Sequence, residues 1–512
     1  MNKGKKIFLL IGASISCSLV LCGLINIRSN ASEVTSSNVK TNISKSNDIN
    51  KSSSENESDV IETEDSLQFV ITQVNDKKAK TRAARFAEYF SRQQFSMIVD
   101  MEVKDAKVNS LYTVDYFKNI YNTYFLGNKY VTCSKYKYYG YSKKTDSHLI
   151  DVYIKGKYRI NKITLTFNKN WGLKEYVYDS YTEPVPEISN YYTEELIKIG
   201  EKNLNGLLTI PKNYNGGPVA ILIQGFGYHN ADMTVGENRI FADIAHELAK
   251  SGVAVIRYNE RFNQCADLAK SNNTIYTEII DDAVAAVKYA SNNSKINKNK
   301  IFIVGHDIGG TVAPEIANIC PEVRGIVCLG SSPRKMLDVL YDQKILALAE
   351  INKFKEIKDK EKKEKKISDA DYNNDIKYVQ EVKNTLKVSF NNIKVIRNLK
   401  TFSDKMIFGQ SEVYWKSLND INVEKTVEKL KIPMLIMQGM ADVEVTANRD
   451  YIEWLRIIDD KANCSCKKYE ELNHYFMKSG GKTILDINDE YNVKGTVEIE
   501  PIKDMVKFMT TK

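Results

Sequence analysis

The sequence has little that would support metal or redox chemistry. Its 512 residues include 8 cysteines and 5 histidines, and no two cysteines have the CxxC spacing of a structural metal site. Two of the cysteines, Cys17 and Cys22, fall in an apolar N-terminal run, whereas Cys320 and Cys328 have the apolar neighbours typical of buried thiols. We therefore predict no metal ion and no cofactor.

Charge of one sign is not concentrated in the chain either. The 73 Lys and Arg residues exceed the 65 Asp and Glu residues by 8, a modest excess for this length. No segment combines clustered basic residues with interleaved aromatic residues, as nucleic-acid-binding modules do, so a nucleic-acid partner is not expected. The composition, 43% hydrophobic and 27% charged, is that of a folded protein, and the length predicts two or three domains.

The N-terminus predicts export. Lys3, Lys5 and Lys6 precede an apolar run over residues 7–27, and residues 29–31 (Ser-Asn-Ala) place small side chains at both positions that decide cleavage. We expect residues 1–31 to be a signal peptide and the mature protein to be secreted or attached to the cell surface. Two alternatives stay open, an uncleaved membrane anchor and lipidation at Cys22.

Two further segments precede the main domain. Residues 32–75 are mostly rich in Ser, Asn, Glu and Lys, a composition typical of a disordered tether. Residues 76–180 then show a helical stripe, a second helix and several strand-like segments rich in Tyr, Val and Thr. The predicted bounds are 78–101 and 108–124 for the helices and 130–141, 148–158 and 162–168 for the strands. They predict a small α+β domain, which resembles the cystatin-like domain of unknown function found ahead of exported bacterial hydrolases.

From residue 190 to residue 512 strand and helix patterns alternate, which predicts a mostly parallel sheet with helices on both faces. The predicted strands are 218–224, 253–258, 301–304, 325–330, 433–438 and 466–472, and the predicted helices are 239–250, 274–292 and 447–458. This α/β architecture binds ligands at the carboxyl edge of its sheet.

Residues 333–424 interrupt the alternation and predict a helical cap over that edge. The segment Lys353–Lys366 contains eight lysines among acidic residues and predicts a solvent-exposed helix, with contact to an anionic surface as the alternative. Apolar side chains of such a cap can select the substrate. The candidates here are Phe402, Phe408, Tyr414 and Trp415.

The most informative stretch is Ile301–Asn318, with the sequence IFIVGHDIGGTVAPEIAN. An apolar strand ends at a glycine-rich turn and a helix begins at once, which is the pattern of a nucleophile elbow. The glycines are expected because the central residue of such a turn has a strained backbone conformation. The usual central residue is serine, whereas this chain has Asp307.

Six blocks occur in order around this elbow: ILIQGFG, RIFADIAHELAKSGVAVIRYNER, EIIDDAVAAVKYA, VGHDIGGTVAPEIA, PMLIMQGMADVEVT and YEELNHYFM. Together they resemble a bacterial secreted α/β-hydrolase of the ester-hydrolase type. The resemblance implies the α/β-hydrolase fold, a triad of Asp307, Asp442 and His474, and an oxyanion hole made by the backbone N–H groups of Phe226 and Ile308. One departure is Gln224, because the family usually has His before the glycine of the oxyanion turn.

The histidines outside the triad have no assigned chemistry. His306 is next to the elbow, and we expect it to pack beneath the turn. His229 and His246 have no evident partner in the sequence, so packing or surface roles are favoured for both.

An aspartate at the elbow changes the chemistry that can be expected. A carboxylate that attacks an ordinary ester makes a high-energy anhydride, whereas at a saturated carbon it displaces a leaving group and forms an ester that water can clear. The GHDIGG turn is similar to that of epoxide hydrolases and dehalogenases, although Ile308 replaces the tryptophan usual in halide-binding enzymes. We therefore predict an active hydrolase of a small-molecule ester, epoxide or alkyl halide. The alternatives are an inactive hydrolase-like binding protein and a surface protein whose N-terminal domain carries the function.

Overall fold

The computed structural model describes residues 69–70, 73–101, 112–125, 130–264, 273–403 and 405–511. The predicted signal peptide and most of the predicted tether lie outside these residues. Within the described part of the chain, no helix is both long and apolar enough to cross a membrane. The chain divides into two compact units with a boundary between Asp179 and Ser180.

The first unit combines three helices with an antiparallel sheet. The elements are α1 (Gln73–Ser91), α2 (Phe95–Val99), α3 (Val114–Tyr124), β1 (Phe69–Val70), β2 (Tyr130–Ser142), β3 (Ser147–Gly156), β4 (Arg159–Asn168) and β5 (Leu173–Pro184), with the strands in the order β1-β2-β3-β4-β5. The single helix predicted over residues 78–101 is two helices, because Gln93 between them has a φ of 56° that an α-helix does not tolerate. The strand β5 was not predicted.

Aromatic side chains fill the space between these helices and the sheet. The ring of Phe90 lies 4.8 Å from that of Phe125 and 5.5 Å from that of Tyr121, measured between centroids. Phe117 and Tyr176 add an edge-to-face contact at 5.2 Å. Such pairs stabilise a core beyond the area that they bury, so this small unit has a well-packed interior.

The second unit is built on an eight-stranded sheet. Its strands are β6 (Tyr192–Ile199), β7 (Leu204–Pro211), β8 (Val219–Ile223), β11 (Ala254–Tyr258), β12 (Ile301–His306), β13 (Val323–Leu329), β16 (Met434–Gly439) and β17 (Cys464–Tyr469). Two short ribbons accompany it, β9–β10 (Thr234–Val235 with Asn238–Arg239) and β14–β15 (Met406–Ile407 with Gln410–Ser411). The spatial order is β6-β7-β11-β8-β12-β13-β16-β17, and only β7 runs against its neighbours. The first two strands were not predicted.

Helices cover both faces of this sheet. They are α4 (Ile240–Lys250), α5 (Arg261–Gln264), α6 (Asp281–Asn292), α7 (Ile308–Ile319), α8 (Met336–Lys363), α9 (Asp369–Asn398), α10 (Glu412–Asp420), α11 (Val423–Lys429), α12 (Ile452–Ile458), α13 (Ile487–Tyr491) and α14 (Ile499–Thr511). A π-helical turn precedes α6 at Tyr276–Ile280 and α12 at Ala447–Tyr451.

The apolar run of β12 reflects the burial of both faces of the sheet. Successive side chains of a strand point to opposite faces. Ile301 and Ile303 accordingly join the core that includes α6 and α7, whereas Phe302 and Val304 join the core that includes α4 and α14. A strand buried on both faces has no polar alternation, which is why this run is continuous in the sequence.

The interruption predicted over residues 333–424 is helical. Helices α8 and α9 pack against each other, and Ser368 caps the N-terminus of α9, where its hydroxyl accepts the Asp371 N–H at 3.1 Å. The lysine-rich segment forms the end of α8, where pairs such as Lys355–Asp359 and Lys358–Glu361 lie on the surface. The helix ends at Lys363, three residues before the predicted end.

A buried arginine joins the first strands of the sheet to the loop after β8. The Arg257 guanidinium on β11 donates to Glu194 on β6 at 2.8 Å, to Thr209 on β7 at 2.7 Å and to Asp232 at 3.1 Å. Arg257 is fully buried, and Asp232 also pairs with Arg239 at 2.8 Å. Removing one partner of a buried ion pair leaves uncompensated charge, which costs about 3–5 kcal/mol.

We predict that Arg257→Met lowers the free energy of unfolding by about 3–5 kcal/mol, since Glu194 would stay buried without its arginine and Asp232 would keep only Arg239. Urea denaturation followed by tryptophan fluorescence measures the change. The matched control is Arg456→Met, because Arg456 pairs with Glu424 and Glu453 at the surface, where ion pairs contribute little. Equal effects of the two substitutions would contradict the prediction.

Candidate active site

The turn between β12 and α7 has the strained geometry of an elbow. Asp307 has φ 52° and ψ −120°, and its N–H donates to the Leu329 carbonyl at 3.0 Å. The neighbouring glycines are required by close packing: a Cβ on Gly309 would lie 2.4 Å from the carbonyl oxygens of Ile223 and Gln224. The elbow therefore sits directly against the end of β8.

The Asp307 carboxylate is held by the predicted oxyanion hole. Its Oδ2 accepts the Phe226 N–H at 2.9 Å, and the Ile308 N–H also bonds to the carboxylate. A Cβ on Gly225 would lie 2.9 Å from the same oxygen, so glycine is needed there. The two predicted N–H donors thus both act on the carboxylate of the elbow residue, and the Phe226 N–H meets Oδ2.

Two polar side chains support the turn that carries Phe226. Gln224, which replaces the usual histidine, donates its amide to the Tyr258 carbonyl. His229 donates from Nε2 to the Phe226 carbonyl at 3.0 Å. Burial lowers the pKa of His229 to about 4, so this ring is neutral and packs beneath the turn.

His474 and Asp442 form a buried pair. Nδ1 of His474 lies 2.8 Å from Oδ2 of Asp442. The other carboxylate oxygen, Oδ1, accepts the N–H groups of Glu444 and Val445 at 2.8 and 2.9 Å, and Gln438 donates to Oδ2 at 3.2 Å. With four donors around it, Asp442 is fixed in the orientation that holds the imidazole.

The surrounding carboxyl groups control the charge of His474. Burial by itself lowers the pKa of His474, but Asp442, Glu444 and Asp307 outweigh burial and raise the pKa to about 10. Burial also raises the pKa of Asp307, although His474 and the Phe226 and Ile308 N–H groups oppose it. At neutral pH the imidazole of His474 is protonated.

These groups line one small cavity. Its free volume is about 20 Å³, which has room for about one water molecule. The first turns of α8 close it. The lining residues are Gly225, Phe226, His229, Met233, His306, Asp307, Met336, Val339, Gln343, Glu444, Val445 and His474.

Comparisons with known proteins identify the fold that carries this site. Residues 235–479 match the Hydrolase_4 family model, described as serine aminopeptidase, S33; the segment contains Asp307, Asp442 and His474. Counted along the chain, the eight strands of the large sheet have the spatial order 1-2-4-3-5-6-7-8 with the second reversed. The chain is an α/β-hydrolase. It is an esterase-like member of that superfamily, as the sequence blocks predicted.

Several relatives of this α/β-hydrolase are esterases by name. Esterase EstD of Thermotoga maritima is 24% identical over 436 residues, which cover 83% of this chain and 93% of the relative. Among solved structures, Est1E from Butyrivibrio proteoclasticus is 16% identical, with a TM-score of 0.37, and covers 62% of this chain and 99% of its own. The Pyrococcus furiosus esterase Pf2001 is 14% identical, with a TM-score of 0.36, and the match covers 64% of this chain and 97% of that esterase.

The cap aromatics do not have the role that the sequence predicted in this α/β-hydrolase. Phe408, Tyr414 and Trp415 are buried in the core on the α6–α7 side of the sheet, and none of them, nor Phe402, lines the cavity. The cavity instead receives Met336, Val339 and Gln343 from α8. The sequence pattern did not single out these three side chains, because apolar residues recur along α8 and Gln343 is one of many polar residues on it.

His306 and His246 both have packing roles. His306 donates from Nε2 to the His474 carbonyl at 2.9 Å and stacks on Tyr475. His246 lies with Glu187 and Glu194 in the one group of described residues that is close enough to hold a metal ion. Since Arg239 and Arg257 already pair with these carboxylates, the group is explained as an ion-pair network.

We predict that His474 titrates near pH 10 and that Asp442→Asn lowers its pKa, because the substitution removes the nearest negative charge. The folded-state pKa lies above the ordinary value of 6.5, so the stability that the imidazolium contributes is complete below pH 6.5 and is lost as the pH rises through about 10. NMR of ¹⁵N-labelled histidine rings measures the pKa. His229, with a pKa near 4, serves as the internal reference, and a His474 titration below pH 7 would refute the charge assignment.

Proposed function

We propose that this α/β-hydrolase acts through Asp307 as a covalent nucleophile on a small molecule with an electrophilic saturated carbon, and that an epoxide is the substrate class that fits best. His474 serves as acid and then as base, and Asp442 orients it. The observation that carries this proposal is the position of Asp307 Oδ2 at the Phe226 N–H, 2.9 Å away.

The position of this oxygen favours alkyl transfer to Asp307 over acyl transfer. In ester cleavage by an acyl-enzyme, the substrate carbonyl oxygen must enter the oxyanion hole, but here the nucleophile's own oxygen lies in it. If Asp307 is instead alkylated through Oδ1, the carbonyl oxygen of the resulting ester is already at the Phe226 N–H. Water that attacks this ester then develops its oxyanion where that donor points.

The first step uses the proton that His474 carries. Asp307 Oδ1 forms a bond to an epoxide carbon, the carbon–oxygen bond of the ring breaks, and the released alkoxide takes the proton from His474. The products are a hydroxyalkyl ester of Asp307 and a neutral imidazole. Because the ester has no charge, one of the groups that raised the pKa of His474 is gone, which favours the neutral base.

In the second step water attacks the ester carbon while His474 takes one of its protons. The bond to the alkyl oxygen breaks, the leaving alkoxide takes the proton from His474, and the proton of the new Asp307 carboxyl group returns to His474. The sum is epoxide plus water to vicinal diol, with Asp307 ionised and His474 protonated again.

An alkyl halide fits this cavity less well. A departing halide needs positive or N–H groups, yet of the lining side chains only His474 carries positive charge, since burial lowers the pKa of both His229 and His306. Glu444 adds a carboxyl group to the lining. An epoxide oxygen stays attached to the product and needs only the one proton that His474 supplies.

Any substrate requires the first turns of α8 to shift, because the cavity of about 20 Å³ accommodates about one water molecule. Met336 and Val339 are the apolar side chains that such a shift moves to make room. The same two side chains are then in place to contact the substrate.

We predict that His474→Ala traps the alkyl ester, since the base of the second step is missing while Asp307 keeps its carboxylate. Incubation with a panel that includes styrene oxide, 1,2-epoxyhexane and 1-chlorohexane, followed by peptide mass spectrometry, is expected to show an epoxide adduct on Asp307. If opening the epoxide ring also requires the proton of His474, the incubation is repeated at low pH, where the solvent supplies that proton. Asp307→Asn is the control, because its amide does not attack; adducts of equal yield in the control, or no adduct with any probe, would reject the mechanism.

We also predict that Asp307→Ser hydrolyses 4-nitrophenyl acetate at least about 100-fold faster than Asp307→Ala. The serine side chain has no second oxygen, so the Phe226 and Ile308 N–H groups become available to an ester carbonyl, and oxyanion donors are worth about that factor. Initial rates measured by absorbance give the comparison. Equal rates would mean that the remaining apparatus does not support acyl transfer.

A further inference from the structure

Among the residues that the structure describes, two buried acceptors in the cavity have no hydrogen-bond partner. They are Nδ1 of His306 and Oε1 of Gln343, and their side chains belong to residues only 2% and 6% exposed. An unsatisfied buried acceptor destabilises a fold, so each requires an explanation. Both residues line the cavity that contains Asp307 and His474.

The hydrogen-bonding state of His306 follows from its partner. Its Nε2 lies 2.9 Å from the His474 carbonyl oxygen, and because a carbonyl only accepts, Nε2 carries the proton. Burial keeps the pKa of His306 well below its usual value, so the ring is neutral. Nδ1 therefore presents a lone pair.

The orientation of Gln343 is fixed in the same way. Its Nε2 donates to the Glu444 carbonyl at 3.0 Å, and turning the amide over would set two acceptors against each other. Oε1 is therefore the atom without a partner. Since Gln343 lies on α8, it brings a polar group from the cap into the cavity.

Water matches this pair of acceptors. A buried water typically makes about three hydrogen bonds to groups that are otherwise unsatisfied, and the cavity has room for about one such molecule. Its two O–H groups suit the two acceptors, and its oxygen suits the protonated Nε2 of His474, whose Nδ1 is engaged by Asp442. An anion is disfavoured because both groups are acceptors and carboxylates line the same space.

We propose that His306 and Gln343 hold a single water molecule in this cavity and that it is the water that hydrolyses the Asp307 ester. The second part rests on the proposed function. When the ester has formed and His474 is neutral, the water gives one proton to His474 Nε2 and keeps its other O–H on Gln343 or His306. Its oxygen forms the new bond to the ester carbon of Asp307, and the bond to the alkyl oxygen breaks as described above. His306 and Gln343 are thus positioning residues.

The first test is the water itself, which does not depend on turnover. Crystal structures of the whole protein and of Gln343→Met, which keeps the side-chain volume and removes both polar atoms, are compared at a resolution that shows ordered water. The wild type is expected to show a water within about 3.2 Å of His306 Nδ1 and Gln343 Oε1, and the variant to lack it. A wild-type structure without that water overturns the proposal.

The second test measures the two chemical steps separately. With an epoxide that labels Asp307, Gln343→Met is expected to form the ester at the wild-type rate and to hydrolyse it at least about 10-fold more slowly, so the adduct accumulates in the mass spectrum. His306→Gln, which keeps a donor for the His474 carbonyl and removes the Nδ1 acceptor, is expected to behave alike. Hydrolysis at the wild-type rate in both variants overturns the role of the water.

The control is Gln410→Met. Gln410 is also a buried cap glutamine, but it donates to Glu278 at 3.1 Å and does not line the cavity. The Asp307 ester is therefore not expected to accumulate in Gln410→Met. If no variant and no epoxide gives an ester, the proposed function fails, and the crystal structures still decide whether the water site exists.

Discussion

The hydrogen bond from the Phe226 N–H to the Asp307 carboxylate joins the two loops on which the site depends. One loop follows β8 and the other follows β12, and these strands are parallel neighbours in the sheet. Parallel strands bring their carboxyl ends to the same edge, so the fold places the donor and the acceptor together. The start of α7 adds a favourable dipole for a negative group at position 307.

Charge balance is the second constraint on this site. Asp307, Asp442 and Glu444 are arranged around a single imidazole, and their combined field raises the pKa of His474 to about 10 although burial opposes the shift. Asp442 is surrounded by donors, and Glu444 accepts the Tyr491 hydroxyl at 2.7 Å. Asp307 is the carboxylate whose charge a covalent step would remove, and this links its chemistry to the protonation of His474.

The cap contributes to the site through one short stretch. Tyr414 and Trp415 anchor it in the core, where the Trp415 indole donates to the Ile407 carbonyl at 2.7 Å. The first turns of α8 cover the cavity, and Gln343 ties them to the loop after β16 through the Glu444 carbonyl. The cap and the loop that carries Asp442 are therefore connected at the cavity wall.

The sequence by itself indicated most of the second unit, and its resemblance to α/β-hydrolases indicated Asp307, Asp442 and His474 as a triad. Runs such as Ile301–Val304 reveal strands buried on both faces, and Asp307 and Asp442 each follow such a strand closely, whereas His474 follows the edge strand β17. The sequence did not reveal β6 and β7, whose mixed composition gives no clear period, nor the break at Gln93.

Only the tertiary structure decided which oxygen of Asp307 meets the Phe226 N–H, which cap residues face the cavity and which histidine nitrogen carries a proton. Gln343 is one polar residue among many on a 28-residue helix, and its partner Glu444 is about a hundred positions away. Contacts of that kind depend on how distant segments pack, and a pattern read along one segment contains no information about the other.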